Sequence, residues 1–364
     1  MELKFFMPTK VLMGKGIVGD SIKEIKSYGK KAFIITGKRS SKINGSLNDV
    51  VNALDKAQIN YVIFDDIEEN PSIETVVRAA SIGKLEEVDF IIGIGGGSPI
   101  DASKAIGVMV KNPHITGETL FTSSKLESLS IVTVPTTSGT GTETTQYSII
   151  TDHKDMTKKN LGQTIFPALS LLDPSYTMNM GVYVTRNTAI DALSHIVEGY
   201  LNVNASIISD TLAEKGMMIW GECIPSLIKG EFDYETREKL MISSTLAGAI
   251  IAQTGTSLPH GMGYPLTYFK GVPHGIANGC LYVEYLKVFK NREKVEKIYK
   301  ILSLSSHKEL EEVLNKLTKV NIDITKGEIV KYTTDMISNE TKLKNHPETV
   351  GFDQIYNIYA QSLL

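Results

Sequence analysis

The chain has only two cysteines, Cys223 and Cys280, which leaves no disulfide framework and no Cys-x-x-Cys metal or redox motif. Both read as reduced core residues. Neither sign of charge is in excess: 38 basic against 41 acidic residues gives a net charge of −3 spread along the chain. That balance supplies no electrostatic reason to expect nucleic acid or an anionic membrane as partner. No apolar run approaches the roughly 18 uninterrupted residues that a membrane span needs. The opening Met1-Glu-Leu-Lys-Phe-Phe-Met-Pro8 is too polar, and too soon broken by proline, for a signal peptide. Internal repeats and low-complexity tracts are missing as well. What is left is an ordinary globular composition, expected in the cytoplasm, in a chain of 364 residues. That length exceeds the usual size of one core and makes two domains the default.

The first half alternates strand and helix. Lys31–Thr36, Tyr61–Phe64, Phe90–Ile94, Ile131–Val134 and Leu169–Leu172 are short, nearly continuous apolar runs, as in parallel strands buried on both faces. Residues 46–56 have helical spacing, and Ser72 caps a helix that follows it. After Asp173-Pro174 the alternation stops. Residues 185–202, 206–229, 233–253, 278–290, 292–304, 308–319 and 325–337 all read as helices with apolar faces. The expectation is an α/β domain with a mostly parallel sheet over residues 1–177 and an all-α domain over 178–364, the boundary falling near residues 175–180. A cleft between them would hold the site.

Within the helical half, Asp191, His195 and Glu198 fall at i, i+4 and i+7 of one helix and share a face. A carboxylate and an imidazole one turn apart can grip a single metal ion. Two further histidines sit in Leu258-Pro-His260-Gly and Val272-Pro-His274-Gly, where proline and glycine suggest tight turns that aim both rings. Asp191, His195, His260 and His274 are the candidate metal cage. Glu198 either orients a ligand from behind or makes a plain surface ion pair. His307 and His346 read as surface histidines.

In the α/β half, two strand ends carry chemistry. The third strand runs into Gly95-Gly96-Gly97-Ser98-Pro99-Ile-Asp101-Ala-Ser-Lys104. Three glycines leave backbone N–H groups free to cradle phosphate at a helix N-terminus. The fourth ends in Pro135-Thr136-Thr137-Ser-Gly-Thr140-Gly-Thr-Glu143, an uncharged surface of hydroxyls that suits a dinucleotide.

Taken in order, these four landmarks resemble the iron-containing (group III) alcohol dehydrogenases over essentially the whole chain. The resemblance implies a dehydroquinate synthase-like fold with an N-terminal dinucleotide-binding domain, a divalent metal (Fe²⁺, sometimes Zn²⁺), a small alcohol or aldehyde as substrate and a homodimer. By it, Asp191, His195, His260 and His274 correspond to the metal ligands through which catalysis runs. Gly95, Gly96, Gly97, Ser98 and Asp101 match the pyrophosphate and nicotinamide-ribose loop, and Thr136, Thr137 and Thr140 the threonine loop. Lys158 or Lys159 matches the lysine that reaches the adenosine ribose.

Two positions depart from the pattern. Members that prefer NAD often end the strand before the first helix on an aspartate. Here Gly37 stands there, followed by Lys38, Arg39, Ser40 and Ser41. Losing a carboxylate and gaining cations and hydroxyls favours a 2′-phosphate, so NADP(H) is expected over NAD(H). Where some members carry a histidine one turn after the third ligand, this chain has Tyr264. The rival enzyme is a dehydroquinate synthase-like lyase, or a glycerol dehydrogenase-like enzyme on the same fold. The lyase needs a cationic phosphate site, yet between residues 185 and 280 the only arginines are Arg186 and Arg237. A binding protein that has lost catalysis is a third reading. Leu258, Met262, Tyr264, Leu266 and Phe269 suggest a small apolar-walled pocket, for a short primary alcohol or diol.

Overall fold

Six strands of the computed structural model, which describes residues 3–123 and 125–364, form one sheet. They are β1 (Lys10–Met13), β2 (Lys31–Gly37), β3 (Asn60–Ile67), β4 (Phe90–Gly95), β5 (Ser130–Pro135) and, after a separate antiparallel hairpin of β6 (Ile149–Asp152) and β7 (Thr157–Asn160), β8 (Leu169–Leu172). The order is β1-β8-β5-β4-β2-β3, and every neighbouring pair is parallel. Period-two alternation sends Ala32, Ile34, Phe90 and Ile92 into one apolar layer and Phe33, Ile35, Ile91 and Ile131 into the other. Both faces are therefore covered, which is why these strands read as unbroken apolar runs. Ser72 caps the helix Ile73–Leu85 by accepting from the Thr75 N–H. The β6–β7 hairpin had no sequence signal, because Thr157-Lys-Lys-Asn160 is polar throughout.

The chain divides into two compact units. The α/β unit covers residues 7–180. The helical unit runs from Gly181 to Leu364 and also takes residues 3–6, because the Gln253 side chain bonds both the N–H and the C=O of Phe6 at 2.9 Å.

The helical unit packs around Val182–Tyr200, whose residues from Ala189 to Tyr200 are all buried. A helix that is enclosed all round belongs at the centre of its unit. Trp220 lies fully buried against it and gives its indole N–H to the Ala189 carbonyl at 2.7 Å. Burying such a side chain contributes about 1.5–3 kcal/mol.

Two expectations are overturned here. The Pro-His-Gly tripeptides are not turns: His260 lies in the first turn of the helix Leu258–Lys270, and His274 opens the helix His274–Gly279. Proline is tolerated at a helix start, where its missing N–H would have no partner anyway. His346 is buried rather than superficial, against the rings of Tyr285 and Phe289, with Nδ1 held by the Glu348 backbone.

Candidate metal centre and nucleotide loops

Asp191 and His195 project one turn apart from the central helix, and His260 meets them from the first turn of Leu258–Lys270. Each of the three offers one ligand atom, and these atoms all lie within 4.8 Å of one another. The His195 and His260 rings stack at 4.4 Å, and His260 Nε2 lies 3.7 Å from Asp191 Oδ1. His274 stands beside this trio, its Nε2 3.8 Å from the same carboxylate oxygen. Close approach of its helix depends on Gly275: a Cβ there would come within 1.9 Å of the Asn187 carbonyl oxygen. Asn187 in turn uses its side-chain oxygen to accept the Ile276 N–H at 3.0 Å.

Glu198 settles the alternative left open by its spacing. It is fully buried, and its Oε1 lies 2.5 Å from His260 Nδ1. Its Oε2 accepts the Ser257 N–H at 2.6 Å, and the Tyr282 hydroxyl shares its proton between Oε1 and the Ser194 carbonyl. With a carboxylate on Nδ1, the His260 proton sits there and the Nε2 lone pair faces Asp191. Burial pushes the Glu198 carboxyl up, while Lys342, Ser257 and Tyr282 pull it back. Burial, with the nearby His195 and Lys342, holds His260 well below the usual imidazole range. His195 Nδ1 and His260 Nε2 are buried nitrogens that meet no hydrogen-bond partner. A buried, unpartnered imidazole nitrogen in a cluster with a carboxylate is the donor chemistry of a divalent metal site, so these residues fit one.

In the α/β unit, Gly95 pairs in register with Pro135, so the loops after β4 and β5 leave the sheet side by side. Gly95 has φ +146 and packs on Pro99. A Cβ on Gly96 would come 3.0 Å from the Thr137 hydroxyl, and one on Gly97 2.7 Å from the Thr140 methyl. The glycines thus let the threonine loop lie directly on the phosphate-cradle loop, whose helix Gly97–Lys111 has no side-chain N-cap. Thr136 is buried and ties its N–H to the Gly95 carbonyl. Ser98 accepts the Asn70 N–H at 3.1 Å, and Lys158 reaches the Asn70 side chain at 2.8 Å. Lys159, on the opposite face of β7, is held by Asp152 and Asp155. Of the two lysines, Lys158 is the one beside Ser98. Both Asp101 oxygens are engaged internally, by the Thr142 hydroxyl and the Ile149 N–H, and burial pushes its carboxyl up against the pull of Lys104.

At the end of β2 the group expected to act together splits. Gly37 is half-buried, Lys38, Arg39 and Ser40 are exposed, and Lys38 pairs with Asp66 at 2.8 Å. Ser41 turns inward, fully buried, and accepts the Thr36 hydroxyl at 2.8 Å. The apolar wall is also redistributed. Leu258, Met262 and Leu266 recur every four residues and enter the core of the helical unit, and Phe269 is half exposed, stacked on Tyr332. Only Tyr264 remains beside the site, stacked on His274 at 5.6 Å. Tyr282, Ser257, Asn187 and Lys342 were not singled out from sequence, since none stands in a motif.

Residues 8–174 match the family model for iron-containing alcohol dehydrogenase, and residues 185–363 the C-terminal model of the Fe-containing alcohol dehydrogenase family. The NADPH-dependent butanol dehydrogenase of Clostridium saccharobutylicum is 32% identical over 87% of this chain and 83% of its own length. Lactaldehyde reductase of Escherichia coli K12 is 32% identical over 74% of this chain and 71% of its own. The crystal structure of the iron-containing alcohol dehydrogenase of Thermotoga maritima superposes with a TM-score of 0.93 at 40% identity, covering 99% of each chain. This chain belongs to the iron-containing alcohol dehydrogenase family, and is a metal-dependent, NAD(P)-dependent alcohol dehydrogenase.

Proposed function

We propose that the enzyme interconverts a short primary alcohol or diol and its aldehyde with NADP(H), using a divalent metal, Fe²⁺ or Zn²⁺, held by Asp191, His195, His260 and His274. The observation that carries the metal part is that Asp191, His195 and His260 each bring a ligand atom within 4.8 Å of the other two, with His195 Nδ1 and His260 Nε2 buried and without hydrogen-bond partners. A divalent ion supplies Lewis acidity toward the substrate oxygen, making the alcohol more acidic and the carbonyl more electrophilic. The protein's own share is orientation. Glu198 fixes the His260 tautomer, and Gly275 lets the His274 helix lie against Asn187. Gly96 and Gly97 admit the threonine loop against the backbone N–H groups that would cradle a pyrophosphate.

Preference for NADP(H) is supported by Gly37 in place of a carboxylate and by Arg39 and Ser40 on the surface beside it. Arg39 has no ion pair among the described residues, so its guanidinium is available to a 2′-phosphate. The butanol dehydrogenase relative, named for NADPH, points the same way. The lyase alternative is disfavoured by the arginines. Arg186 is spent on the carbonyls of Leu227 and Ile228, and Arg237 on Thr185 and the Phe232 ring. A cytoplasmic homodimer completes the proposal, supported by the family resemblance and by two unpaired cysteines whose thiols burial pushes up to about 12.

The test is reduced-cofactor formation from short alcohols and diols with NADP⁺ and with NAD⁺. The enzyme is stripped by chelator and reloaded anaerobically with Fe²⁺ or Zn²⁺. Metal-restored turnover with NADP⁺ favoured is the expected result. Turnover favouring NAD⁺ would sink the cofactor part, and no turnover with either metal would sink the whole.

A further inference from the structure

The backbone that leads into His260 is held by asparagine side chains. Residues 255–257 lie in neither helix nor strand, between the helices Tyr234–Thr254 and Leu258–Lys270. Gly255 has φ +72 and ψ −179, a conformation that only glycine enters readily, and such a turn persists where its surroundings fix it. Here three successive carbonyls each accept a side-chain amide. Thr254 takes Asn204 at 3.2 Å, Gly255 takes Asn202 at 3.4 Å, and Thr256 takes Asn345 at 2.9 Å. The Gly255 carbonyl also takes the Thr254 hydroxyl at 3.0 Å. The Thr256 hydroxyl accepts Lys342 Nζ, and the Lys342 stem packs on Gly261, the residue after His260.

These asparagines come from two places. Asn202 and Asn204 follow directly on the central helix Val182–Tyr200, and Asn345 follows the short helix Glu340–Leu343. They are tied to one another: Asn202 Oδ1 accepts the Asn204 N–H at 3.0 Å, and the Asn345 carbonyl accepts the Val203 N–H at 3.2 Å. Asn202 and Asn345 are more than nine-tenths buried, so losing either amide strands a carbonyl that water does not easily reach. The bracket joins the end of the helix that carries Asp191, His195 and Glu198 to the start of the one that carries His260. Glu198 spans the same joint, with the Ser257 N–H on Oε2 and His260 Nδ1 on Oε1. A shift of Ser257 therefore moves the carboxylate that orients His260.

We propose that Asn202, Asn204 and Asn345 are positioning residues of the metal centre: they fix where His260 stands relative to the ligands of the central helix. This rests on the metal site of the proposed function. It adds that the geometry of that site is set partly by a segment near the end of the chain, which touches none of the ligands.

The experiment measures Zn²⁺ affinity of the apo protein against a competing chelator, for wild type, Asn345→Leu, Asn204→Leu and a control, Asn112→Leu. Leucine keeps the branched shape of asparagine and removes its polar atoms. Asn112 serves the α/β unit in the same way, giving its amide to the Val108 and Glu127 carbonyls at 2.8 Å. All three variants should lose a few degrees of Tm. Only the first two should bind Zn²⁺ more weakly, by about tenfold in Asn345→Leu and less in the half-buried Asn204→Leu. Co²⁺ in place of Zn²⁺ gives a second readout, because its visible bands follow ligand geometry. They should change in Asn345→Leu and stay as in wild type in Asn112→Leu. Asn204→Leu carries the comparison if Asn345→Leu does not fold. Zn²⁺ affinity within twofold of wild type, with unaltered Co²⁺ bands, overturns the proposal and leaves the metal site standing. Equal weakening in Asn112→Leu overturns it as well, by reducing the asparagines to general stability. Wild type that takes up no Zn²⁺ overturns both this proposal and the metal site.

Discussion

Replacing Glu198 by glutamine is the sharpest test of how the metal centre is built. The carboxylate faces a fixed set of donors: His260 Nδ1 at 2.5 Å and the Tyr282 hydroxyl at 2.9 Å on Oε1, and the Ser257 N–H at 2.6 Å on Oε2. An amide cannot satisfy all of them. If its oxygen takes the Ser257 side, its NH₂ points at His260, which must then accept on Nδ1 and carry its proton on Nε2. That removes the lone pair that faces Asp191. If the amide is reversed, its NH₂ collides with the Ser257 N–H, a donor against a donor. Partners of this kind behind a metal-binding histidine are worth about 10–100-fold in metal affinity, or about 1.4–2.7 kcal/mol. Apo protein titrated with Zn²⁺ against a competing chelator should show that weakening. The near-isosteric Glu198→Gln should keep apo Tm within a few degrees, since it removes no volume. Glu198→Ala is less informative: it strands two buried donors, His260 Nδ1 and the Ser257 N–H, at about 1–3 kcal/mol each, a sizeable part of a domain's stability, while the Tyr282 hydroxyl keeps the Ser194 carbonyl. Metal affinity within twofold of wild type in Glu198→Gln would refute the tautomer reasoning.

Two further outcomes are expected. Gly97→Ala places a methyl against Thr140, where the gap is only 2.7 Å, and overpacking of about 1–3 kcal/mol should weaken nucleotide binding tenfold or more. Fluorescence titration with NADPH checks it, and unchanged affinity would show that the two loops can part freely. Glu328 caps its helix through Thr325 and pairs with Lys270, which holds its carboxyl at about 2, below the ordinary 4.5. A depressed carboxyl pKa gives stability that is present above pH 4.5 and lost as pH falls toward 2. The Tm advantage of wild type over Glu328→Gln should therefore shrink across that window, and a gap as wide at pH 2 as at pH 7 would refute it.

The parallel sheet was legible because strands buried on both faces have to be apolar without interruption, and Phe90–Gly95 and Leu169–Leu172 are. The β6–β7 hairpin was not, because each strand has only four residues and β7, Thr157-Lys-Lys-Asn160, has no apolar position to carry a period. Asp191, His195 and Glu198 announced themselves through helical spacing alone. His260 and His274 were noticed for a reason that proved wrong, as turns, although the glycine after His274 does mark a close approach of backbones. The pocket wall was misread for a clear cause: Leu258, Met262 and Leu266 share a helix with His260, and at four-residue spacing they face the core rather than the ligand. Lys342 could not be found this way. Its position beside His260 exists only once residues 82 places apart in sequence are packed together, and a lysine among five others between 316 and 344 carries no local mark.

The bond between Phe6 and Gln253 also fixes an order of events. These residues are 247 positions apart, and everything that builds the α/β unit lies between them. During synthesis at about 5–20 residues per second, Phe6 emerges roughly 12–50 s before the side chain it is destined to meet. The sheet has time to form within that interval, while the helical unit, begun by the first residues of the chain, must wait for nearly all of the rest. One unit is nested inside the sequence of the other, so closing the outer one is a late, long-range step in the chain's assembly.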